Sequence, residues 1–373
     1  MPHNYTYYKR ESGELMSIVL ISGDGSTLST SKRIKYFLEA AEAKNVSVNV
    51  IPYPSIEELN SSDTDFFNAL QKNLQGKRVK LDPPTYTSSD ISDIYVQIAP
   101  YIALWKQIAK IPNIQLLNSV EAIIQTLDKL YCKQILMQAG VPCTSLLTLS
   151  PNDASDVKIT NIAKLRKLLI SKGLNSAFIK PRWGSGAAGV MGYKISPNFS
   201  AKRELLCTSA IFENGKLHNT KQLRNITNPT QIEAIINQVL NQGAVIEQWL
   251  PKAKIDNNYF DLRVVYQFGK ISFIVARQSA SHITNLHLNN SPLDISLLQE
   301  QEILTSERIK EIETICTQAT KLFSGLNVAG IDILLEPNTY KPHIIEINAQ
   351  GDLIYQDILS KNAENKIYKE QIR

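Results

Sequence analysis

The sequence predicts a mixed fold, in which a parallel α/β domain is followed by segments that combine helices with β-hairpins. Residues 17–51 run strand, loop, helix and strand, which is typical of a parallel α/β domain. Residues 176–195 and 261–277 each contain two apolar strands around a glycine turn. Residues 329–352 form a third such hairpin, with a polar turn rich in Pro and Asn. Hairpins in the later part of the chain therefore set it apart from the α/β opening.

Length and composition restrict the class of protein. The chain has 373 residues, which is enough for two or three domains. Hydrophobic residues make up 43% and charged residues 20%, as in an ordinary globular protein with a full core. The net charge of +5 is mild, and no Lys/Arg cluster is interleaved with aromatics, so a nucleic-acid partner is not expected. The four cysteines lie far apart without a CxxC pair, which argues against a disulfide framework or a zinc site.

Membrane insertion and secretion are not expected from the sequence. No apolar run approaches the length needed to cross a bilayer. Residues 1–15 are polar and lack the apolar region of a signal peptide, so they are predicted to form a loose tail. The predicted location is the cytoplasm.

The first predicted domain contains a small set of regular elements. They are strands at 17–22, 46–51 and 114–117, and helices at 31–44 and 63–74, with the rest of 53–90 polar and irregular. The loop after the first strand lacks GxGxxG, so the dinucleotide fingerprint is absent.

A long helix is predicted next, from Asn118 to Gly140. Ser119 is a possible cap, and the helix stops at the glycine before a proline. Asp128 and Lys129 lie in its middle. Taken alone, Lys129 reads as a solvated helix residue.

A glycine-rich loop at 184–189 separates two strands and follows a helix at 162–172. Its small residues let backbone N–H groups approach phosphate oxygens, and Lys180 before it adds a positive charge. A flexible hairpin turn is the alternative, and composition alone does not decide between them.

The remaining elements follow from the same patterns. They are two strands within 203–228, a helix at 230–241, a strand at 244–249, the hairpin at 261–277, a long polar loop at 279–300, a helix at 306–322 and a charged surface helix from Leu359.

The hairpin at 329–352 places three oxygen ligands together. Two apolar runs, 330–335 and 343–348, flank the turn, and folding about its centre sets Asp332 opposite Glu346. Asn348 points the same way as Glu346 because side chains alternate along a strand. Two close carboxylates repel unless a cation lies between them, and Mg²⁺ suits oxygen ligands. The alternative is a hairpin whose polar residues face solvent, and this stretch alone does not separate the two.

The order of motifs carries a resemblance to a known family. It runs DK in a helix, lysine before a glycine-rich flap, EQWL, DxR, ARQ, NLH, GID and EIN. This order resembles the ATP-grasp superfamily, and within it the RimK-type and glutathione-synthetase-like carboxylate–amine ligases, over about residues 115–355. The implied fold is an N-terminal α/β pre-ATP-grasp domain followed by two α+β subdomains that clasp the nucleotide. The implied divisions are the tail 1–15, the first domain 16–117, the flap subdomain 118–250, the metal subdomain 251–358 and a terminal helix 359–373.

The resemblance also implies roles for individual residues. Those binding ATP are Lys129 and Lys180 at the phosphates, Gly184, Ser185 and Gly186 in the flap, Glu247, Gln248, Trp249 and Leu250 beside adenine, and Asp256 as a ribose candidate. Those implied in catalysis are Arg263, Arg277 and Asn285, while Asp332, Glu346 and Asn348 match ligands of Mg²⁺, with Mn²⁺ as an alternative.

Departures from the family pattern affect the substrate side. After NLH the sequence continues with Leu288, Asn289 and Asn290 in place of an arginine and two glycines, so the usual substrate does not transfer. Three further cations near the nucleotide strand and flap read as surface residues when taken alone; they are Arg182, Lys252 and Lys254. The candidates for a general base are His282 and His287.

The implied reaction is ATP-dependent amide or peptide formation through an acyl phosphate, with release of ADP and phosphate. The expected partners are a small-molecule or peptide carboxylate and an amine, and a homodimer is compatible with such ligases. A small-molecule kinase on the same fold is the first alternative. A non-catalytic nucleotide-binding protein is the second, and it predicts loss of metal ligands or arginines that this sequence retains.

Overall fold

The computed structural model describes residues 17–23, 31–60, 64–84, 90–92, 94–150, 153–156, 158–184, 186–196, 203–285, 288, 290–350 and 366–372. The helices are α1 (Lys32–Glu42), α2 (Ile56–Asn60), α3 (Thr64–Leu74), α4 (Ile94–Ile108), α5 (Val120–Leu127), α6 (Lys129–Gln138), α7 (Ile162–Ser171), α8 (Pro229–Asn241), α9 (Ile295–Glu300), α10 (Ser306–Thr320) and α11 (Lys366–Gln371). The strands are β1 (Ser17–Ile21), β2 (Ser47–Ile51), β3 (Arg78–Leu81), β4 (Gln115–Leu116), β5 (Leu149–Ser150), β6 (Asp153–Asp156), β7 (Ser176–Pro181), β8 (Met191–Ile195), β9 (Glu204–Glu213), β10 (Lys216–Ile226), β11 (Ala244–Gln248), β12 (Lys254–Ile255), β13 (Asn258–Gln267), β14 (Lys270–Ser279), β15 (Ser291–Leu293), β16 (Val328–Leu335) and β17 (Pro342–Asn348).

The first sheet is parallel, with strand order β2-β1-β3-β4. It confirms the predicted α/β opening, in which β1 is flanked by β2 and β3. Helix α1 begins after Ser31, whose hydroxyl accepts a hydrogen bond of 3.4 Å from the Ile34 N–H. The sequence prediction of an irregular stretch at 53–90 was wrong in part, because α2 and β3 lie within it. Strand β3 has only four residues, too few for its alternation to stand out.

The second sheet is antiparallel, with strand order β10-β9-β8-β7-β11. The glycine-rich loop joins β7 to β8, as expected for a flap between two paired strands. Helices α7 and α8 bury their apolar faces against this sheet, through Leu165, Leu169, Ile232 and Ile236 among others. The sheet thus holds the flap on a rigid base, with Lys180 at the end of β7.

The third sheet has the order β15-β14-β13-β16-β17, with β12 paired to β13. In the β16–β17 hairpin Asp332 lies opposite Glu346 and Gly330 opposite Asn348, in the register that the sequence predicts. A bulge follows Asp332, so that Ile333 pairs with Ile344. The largest apolar core joins this sheet to the first one, since it contains Val19 and Trp105 together with Ile331 and Ile347.

Three expectations from the sequence need correction. The helix predicted from Asn118 to Gly140 is two helices, because Asp128 caps both α5 and α6 and accepts a 3.2 Å hydrogen bond from the Tyr131 N–H. The loop predicted at 279–300 contains β15 and α9. Helix α11 has one buried face, with Tyr368 and the following residue Ile372 each 1% exposed, whereas a surface helix was expected.

Other expectations fall outside the described residues. They concern the tail 1–15, the terminal helix before Lys366, Ser185 in the flap and His287. Across the described residues, no helix has both the length and the apolar character needed to cross a membrane.

Candidate active site

A cleft of about 610 Å³ lies where the second and third sheets face each other. Its apolar walls come from both sheets and are formed by Phe178, Val190, Leu250, Leu334 and Ile345. Its polar side chains include Lys180, Glu247, Lys252, Asp261, Asp332 and Glu346. A concave, mainly apolar space with a few convergent charges is the usual form of a small-molecule site.

Glu247 on β11 is a buried acid held by cations. Its Oε2 accepts hydrogen bonds from Lys180 Nζ at 2.8 Å and from Thr144 Oγ1 at 2.6 Å, and it lies 3.8 Å from Lys133 Nζ. Burial alone would raise the pKa of Glu247, but Lys133 and Lys180 reverse this effect and the pKa lies below its usual value. Its Oε1 has no hydrogen-bond partner among the described residues, which leaves one acceptor at the cleft.

Lys129 links the flap to the β16–β17 hairpin. It is only 8% exposed, so the solvated position that its sequence alone suggested is wrong. Its Nζ donates to the Gly184 carbonyl and lies 3.6 Å from Glu346 Oε1. The preceding residue, Asp128, accepts two hydrogen bonds of 2.7 and 2.6 Å from Arg182, which fixes the base of the flap. Arg182 is therefore paired, and its charge is directed at Asp128.

The flap requires glycine at its ends. Gly184 and Gly189 have φ angles of 105° and 67°, where other residues are strained. A Cβ on Gly189 would lie 2.8 Å from Pro181 Cγ, closer than packed atoms allow. Gly186 also has a positive φ, of 66°. The loop follows β7, which carries Lys180, and its first glycine accepts a hydrogen bond from Lys129, while its role as a phosphate-covering flap stays a prediction.

The face of β16 and β17 that carries Asp332 and Glu346 is rich in charge. Asp332 Oδ1 lies 3.2 Å from Arg263 Nε and 3.1 Å from Arg277 Nη2. Gly330 leaves room for one of these arginines, since a Cβ there would lie 2.6 Å from Arg263 Nη1. Two of the implied catalytic residues and two of the implied metal ligands are thereby brought together.

The candidate oxygen ligands Asp332, Glu346 and Asn348 complete the shell of a hard cation only if oxygens from phosphate or water are added. Within the described ranges, no group of three or more His, Cys, Asp and Glu side chains is placed to hold a metal ion. Asp332 and Glu346 form a cross-strand pair that lines the cleft. Asn348 lies two positions further along β17, and its amide oxygen accepts a 3.2 Å hydrogen bond from the Gln350 N–H. An all-oxygen set of this size suits Mg²⁺ when phosphate and water complete the shell.

A second buried network lies beside the face of β16 and β17 that carries Asp332 and Glu346. Lys252, predicted as a surface residue, is 8% exposed and donates a 3.0 Å hydrogen bond to Asp261 Oδ2 and another bond to Thr284. Arg277 Nε donates to Asp261 Oδ1 at 2.8 Å. Burial would raise the pKa of Asp261, but Arg277 and Lys252 lower it overall. Burial lowers the pKa of Lys252, although Asp261 opposes that effect.

Of the other residues that the resemblance implies, some line the cleft and some do not. Leu250 and Asn285 line the cleft, whereas the Trp249 ring packs on Gly192, where a Cβ would lie 2.9 Å from it. The Gln248 N–H donates to the Ser145 carbonyl at 2.8 Å. Asp256 is exposed in the turn between β12 and β13, with φ of 47°, and the structure does not bring it to the cleft.

His282 is half-buried between two aromatic rings. Its ring centroid lies 4.7 Å from that of Trp249 and 4.0 Å from that of Tyr259. Burial, with smaller effects from Lys194, Lys252 and Lys254, lowers its pKa to about 4. The imidazole is therefore neutral near pH 7 and is a weak base.

Sequence reasoning missed two residues of the site, Lys133 and Thr144. Lys133 Nζ donates to Thr144 Oγ1 at 2.5 Å and to the Ile344 carbonyl at 3.0 Å, and so joins α6 to β17. The available signal was its spacing, because Lys133 lies four residues after Lys129 on the same helix and faces the same way. Thr144 left no such signal.

Comparisons with known proteins agree on the fold. A family model described as "YheC/D like ATP-grasp" matches residues 156–373. A search of curated proteins finds no match. Among solved structures, D-cycloserine synthetase DcsG superposes with a TM-score of 0.59 and 11% identity, covering 95% of this chain and 98% of that one. The macrocyclase MdnC, bound with precursor peptide MdnA from Microcystis aeruginosa MRC, gives 0.55 and 15%, covering 95% and 98%. D-alanine–D-alanine ligase from Bacillus anthracis gives 0.50 and 13%, covering 96% of each chain. At these identities the similarity shows the fold.

Proposed function

Because this chain belongs to the YheC/D-like ATP-grasp family, we propose that it is an ATP-dependent ligase that joins a carboxylate to an amine. The superfamily expected from the motif order is confirmed, but the RimK type within it is not supported, since the matching model is of the YheC/D type. Structures of similar fold include a D-alanine–D-alanine ligase and a peptide macrocyclase.

The observation that carries the proposal is the contact between the two halves of the cleft. Lys129, beside the flap, lies 3.6 Å from Glu346 on the metal-ligand hairpin. Lys180 and the flap glycines lie on the second sheet, and the arginines and carboxylates lie on the third. Cations and oxygen ligands that converge from two sheets are suited to bind a nucleoside triphosphate together with its metal ion.

ATP would lie with its base between the apolar walls and its phosphates toward the lysines. Phe178, Leu250 and Leu334 offer a slot for a flat ring. The unpartnered Glu247 Oε1 is an acceptor for the amino group of the base. Lys129 and Lys180 would neutralise phosphate oxygens, which is the main requirement of phosphoryl transfer.

Asp332, Glu346 and Asn348 would hold Mg²⁺, or Mn²⁺ in its place. Such an ion supplies charge neutralisation at the phosphates. Arg263 and Arg277 stand next to Asp332 and would stabilise charge on the transferred group.

The reaction has two steps. A carboxylate oxygen attacks the γ-phosphorus, the bond to the β-phosphate oxygen breaks, and ADP leaves. The amine nitrogen then attacks the acyl carbon, phosphate departs, and the nitrogen loses a proton. Asn285, at the edge of the cleft, is proposed as a donor to the developing oxyanion.

The domain division at 16–117, 118–250 and 251–358 stays a proposal, and the separation of the three sheets supports it. The cytoplasmic location and the homodimer also stay predictions. The carboxylate and amine substrates are proposed to be small molecules or peptides.

A substrate screen tests the proposed function. Purified protein is incubated with MgATP and pairs of carboxylates and amines, and ADP release is measured together with product mass. A ligase gives ADP, phosphate and a product whose mass equals the two substrates less water. A product that retains a phosphoryl group would instead identify a kinase and contradict the proposal.

A further inference from the structure

A second groove, larger in volume than the cleft, adjoins the cleft on the outer side of the EQWL segment. It has a volume of about 1020 Å³ and lies between β8, the segment 249–259 and the turn between β16 and β17. Lys252 and His282 line both the groove and the cleft, whereas Lys180, Asp332 and Glu346 line the cleft alone. The groove is therefore separate from the place where phosphate transfer is proposed.

The lining of this groove is positively charged. It contains Lys194, Lys252 and Lys254, and among the described residues no Asp or Glu lines it. Asp261 pairs with Lys252 from behind. In the part of the chain that the structure describes, Lys194 and Lys254 have no carboxylate partner, so their two charges are not neutralised. A concave surface of one sign attracts ligands of the opposite sign.

Aromatic rings hold the two ammonium groups in place. Lys194 Nζ lies 4.3 Å from the Trp249 ring centroid, and Lys254 Nζ lies 4.3 Å from that of Tyr259. His282 packs between the same two rings. A lysine whose stem and ammonium rest on a ring loses less freedom when a ligand binds. Burial lowers the pKa of His282, and the nearby Lys194, Lys252 and Lys254 lower it further.

We propose that this groove binds a small ligand bearing phosphate or carboxylate groups, held by Lys194 and Lys254 beside the nucleotide and outside its phosphate subsite. The position of this anion site relative to the nucleotide rests on the proposed function. The existence of the anion site rests only on the uncompensated lysines and the volume of the groove. The competing explanation is that each lysine only covers its ring, in which case no anion binds there.

Isothermal titration of the full chain with pyrophosphate and with citrate tests this site. Both titrations are repeated on protein saturated with MgATP. We expect saturable binding of at least one anion that persists in the presence of MgATP. In the double variant Lys194→Gln/Lys254→Gln the affinity should fall at least about tenfold. The preference for pyrophosphate or citrate then separates a phosphate ligand from a carboxylate ligand.

The control removes two charges elsewhere. Lys310 and Lys321 on and after α10 are exposed, so Lys310→Gln/Lys321→Gln has the same net charge as the test variant. It should bind the anion as the wild type does. The proposal is overturned if neither anion binds, if both double variants bind equally, or if MgATP abolishes binding. Because anion binding is measured with and without nucleotide, a failure of ATP binding would not be mistaken for a failure of this site.

Discussion

At the scale of single residues, the site consists of buried charges of alternating sign. One chain runs Lys133, Glu247 and Lys180, and the other runs Lys252, Asp261, Arg277, Asp332 and Arg263. Burying a charge is costly unless a partner compensates it, so removing one member leaves its neighbour unpaired. Such networks shift pKa values and mark functional sites more often than surface pairs do.

Lys180 provides the first test at this scale. We expect Lys180→Met to weaken ATP binding about tenfold or more, because a charge-assisted contact to phosphate contributes roughly 1.5 to 3 kcal/mol. Titration calorimetry with MgATP measures the change. The exposed Lys172 serves as the control, and Lys172→Met should leave the affinity unchanged. Equal affinities in the two variants would remove Lys180 from the nucleotide site.

Glu247 gives a prediction about pH. Its pKa in the folded state lies below the usual 4.5, so its stabilising effect is complete above that pH and is lost as pH falls through the lower value. Glu247→Gln should be less stable than wild type at pH 7, and the difference should shrink on acidification below 4.5. Denaturant unfolding at several pH values measures it. A difference independent of pH would show that Glu247 is not ionised in the folded protein.

His282 can be followed directly. With a pKa near 4, its ring signals in NMR should titrate well below those of an exposed histidine near 6.5. The titration compares wild type with His282→Gln to assign the signal. A midpoint close to 6.5 would mean that the stacking between Trp249 and Tyr259 is absent in solution.

The sequence could predict some site residues and not others. Asp332 and Glu346 were predictable because the turn between them is symmetric and strands have a fixed period. Lys252 was not, because its partner Thr284 lies 32 positions away in the sequence. A lysine near other lysines reads as solvated until the sheet that buries it is known.

At the scale of elements, the β16–β17 hairpin depends on one small residue. Gly330 lies on β16 opposite Val265 of β13, and its missing Cβ leaves space for the Arg263 guanidinium. A methyl group there would require the Arg263 guanidinium, which lies 3.2 Å from Asp332, to shift.

We expect Gly330→Ala to reduce ADP release strongly with a smaller effect on stability. Because the loss acts through Arg263, the double variant Gly330→Ala/Arg263→Ala should be no less active than Arg263→Ala alone. The three variants are compared by turnover and by thermal unfolding. Additive losses would show that Gly330 acts on something other than Arg263.

The division between α5 and α6 was hidden in the sequence. Apolar residues continue at helical spacing through Asp128, so periodicity alone predicted one helix. The competing signal was Asp128 itself, since aspartate is a preferred N-cap. Its capping role turns Lys129 inward toward Gly184 and Glu346, which a continuous helix would not do.

At the scale of the whole molecule, α11 connects the first and third sheets. Tyr368 packs edge-on against Phe37 of α1, with ring centroids 5.7 Å apart. On the other side Glu370 accepts a 2.6 Å hydrogen bond from Ser272 and lies 3.2 Å from Lys270, both on β14. The last helix thus fixes the α/β domain relative to the sheet that carries the oxygen ligands.

We expect Tyr368→Ala to lower the free energy of unfolding by about 3 to 5 kcal/mol, as for other large buried aromatics. Lys369→Ala on the same helix removes a half-buried side chain and should cost much less. Denaturant unfolding measures both. Equal effects would mean that α11 is not packed against α1.

The fold class was predictable because each sheet has its own pattern, with a strand–helix–strand opening and later hairpins. The burial of α11 was not, because its charged sequence resembles a surface helix. One face of α11 is buried only because the helix packs against β1 and α1 of the first domain. Long-range packing of this kind leaves no local signal.

The central claim is that ATP is consumed at the face formed by Asp332, Glu346 and Asn348. The most direct measurement is ADP release by wild type and Glu346→Gln, with magnesium present and after its removal by a chelator. We expect turnover by wild type with magnesium only, and a loss of at least about a hundredfold in Glu346→Gln, whose thermal unfolding should stay cooperative. Turnover by Glu346→Gln near the wild-type rate, in folded protein, would contradict it.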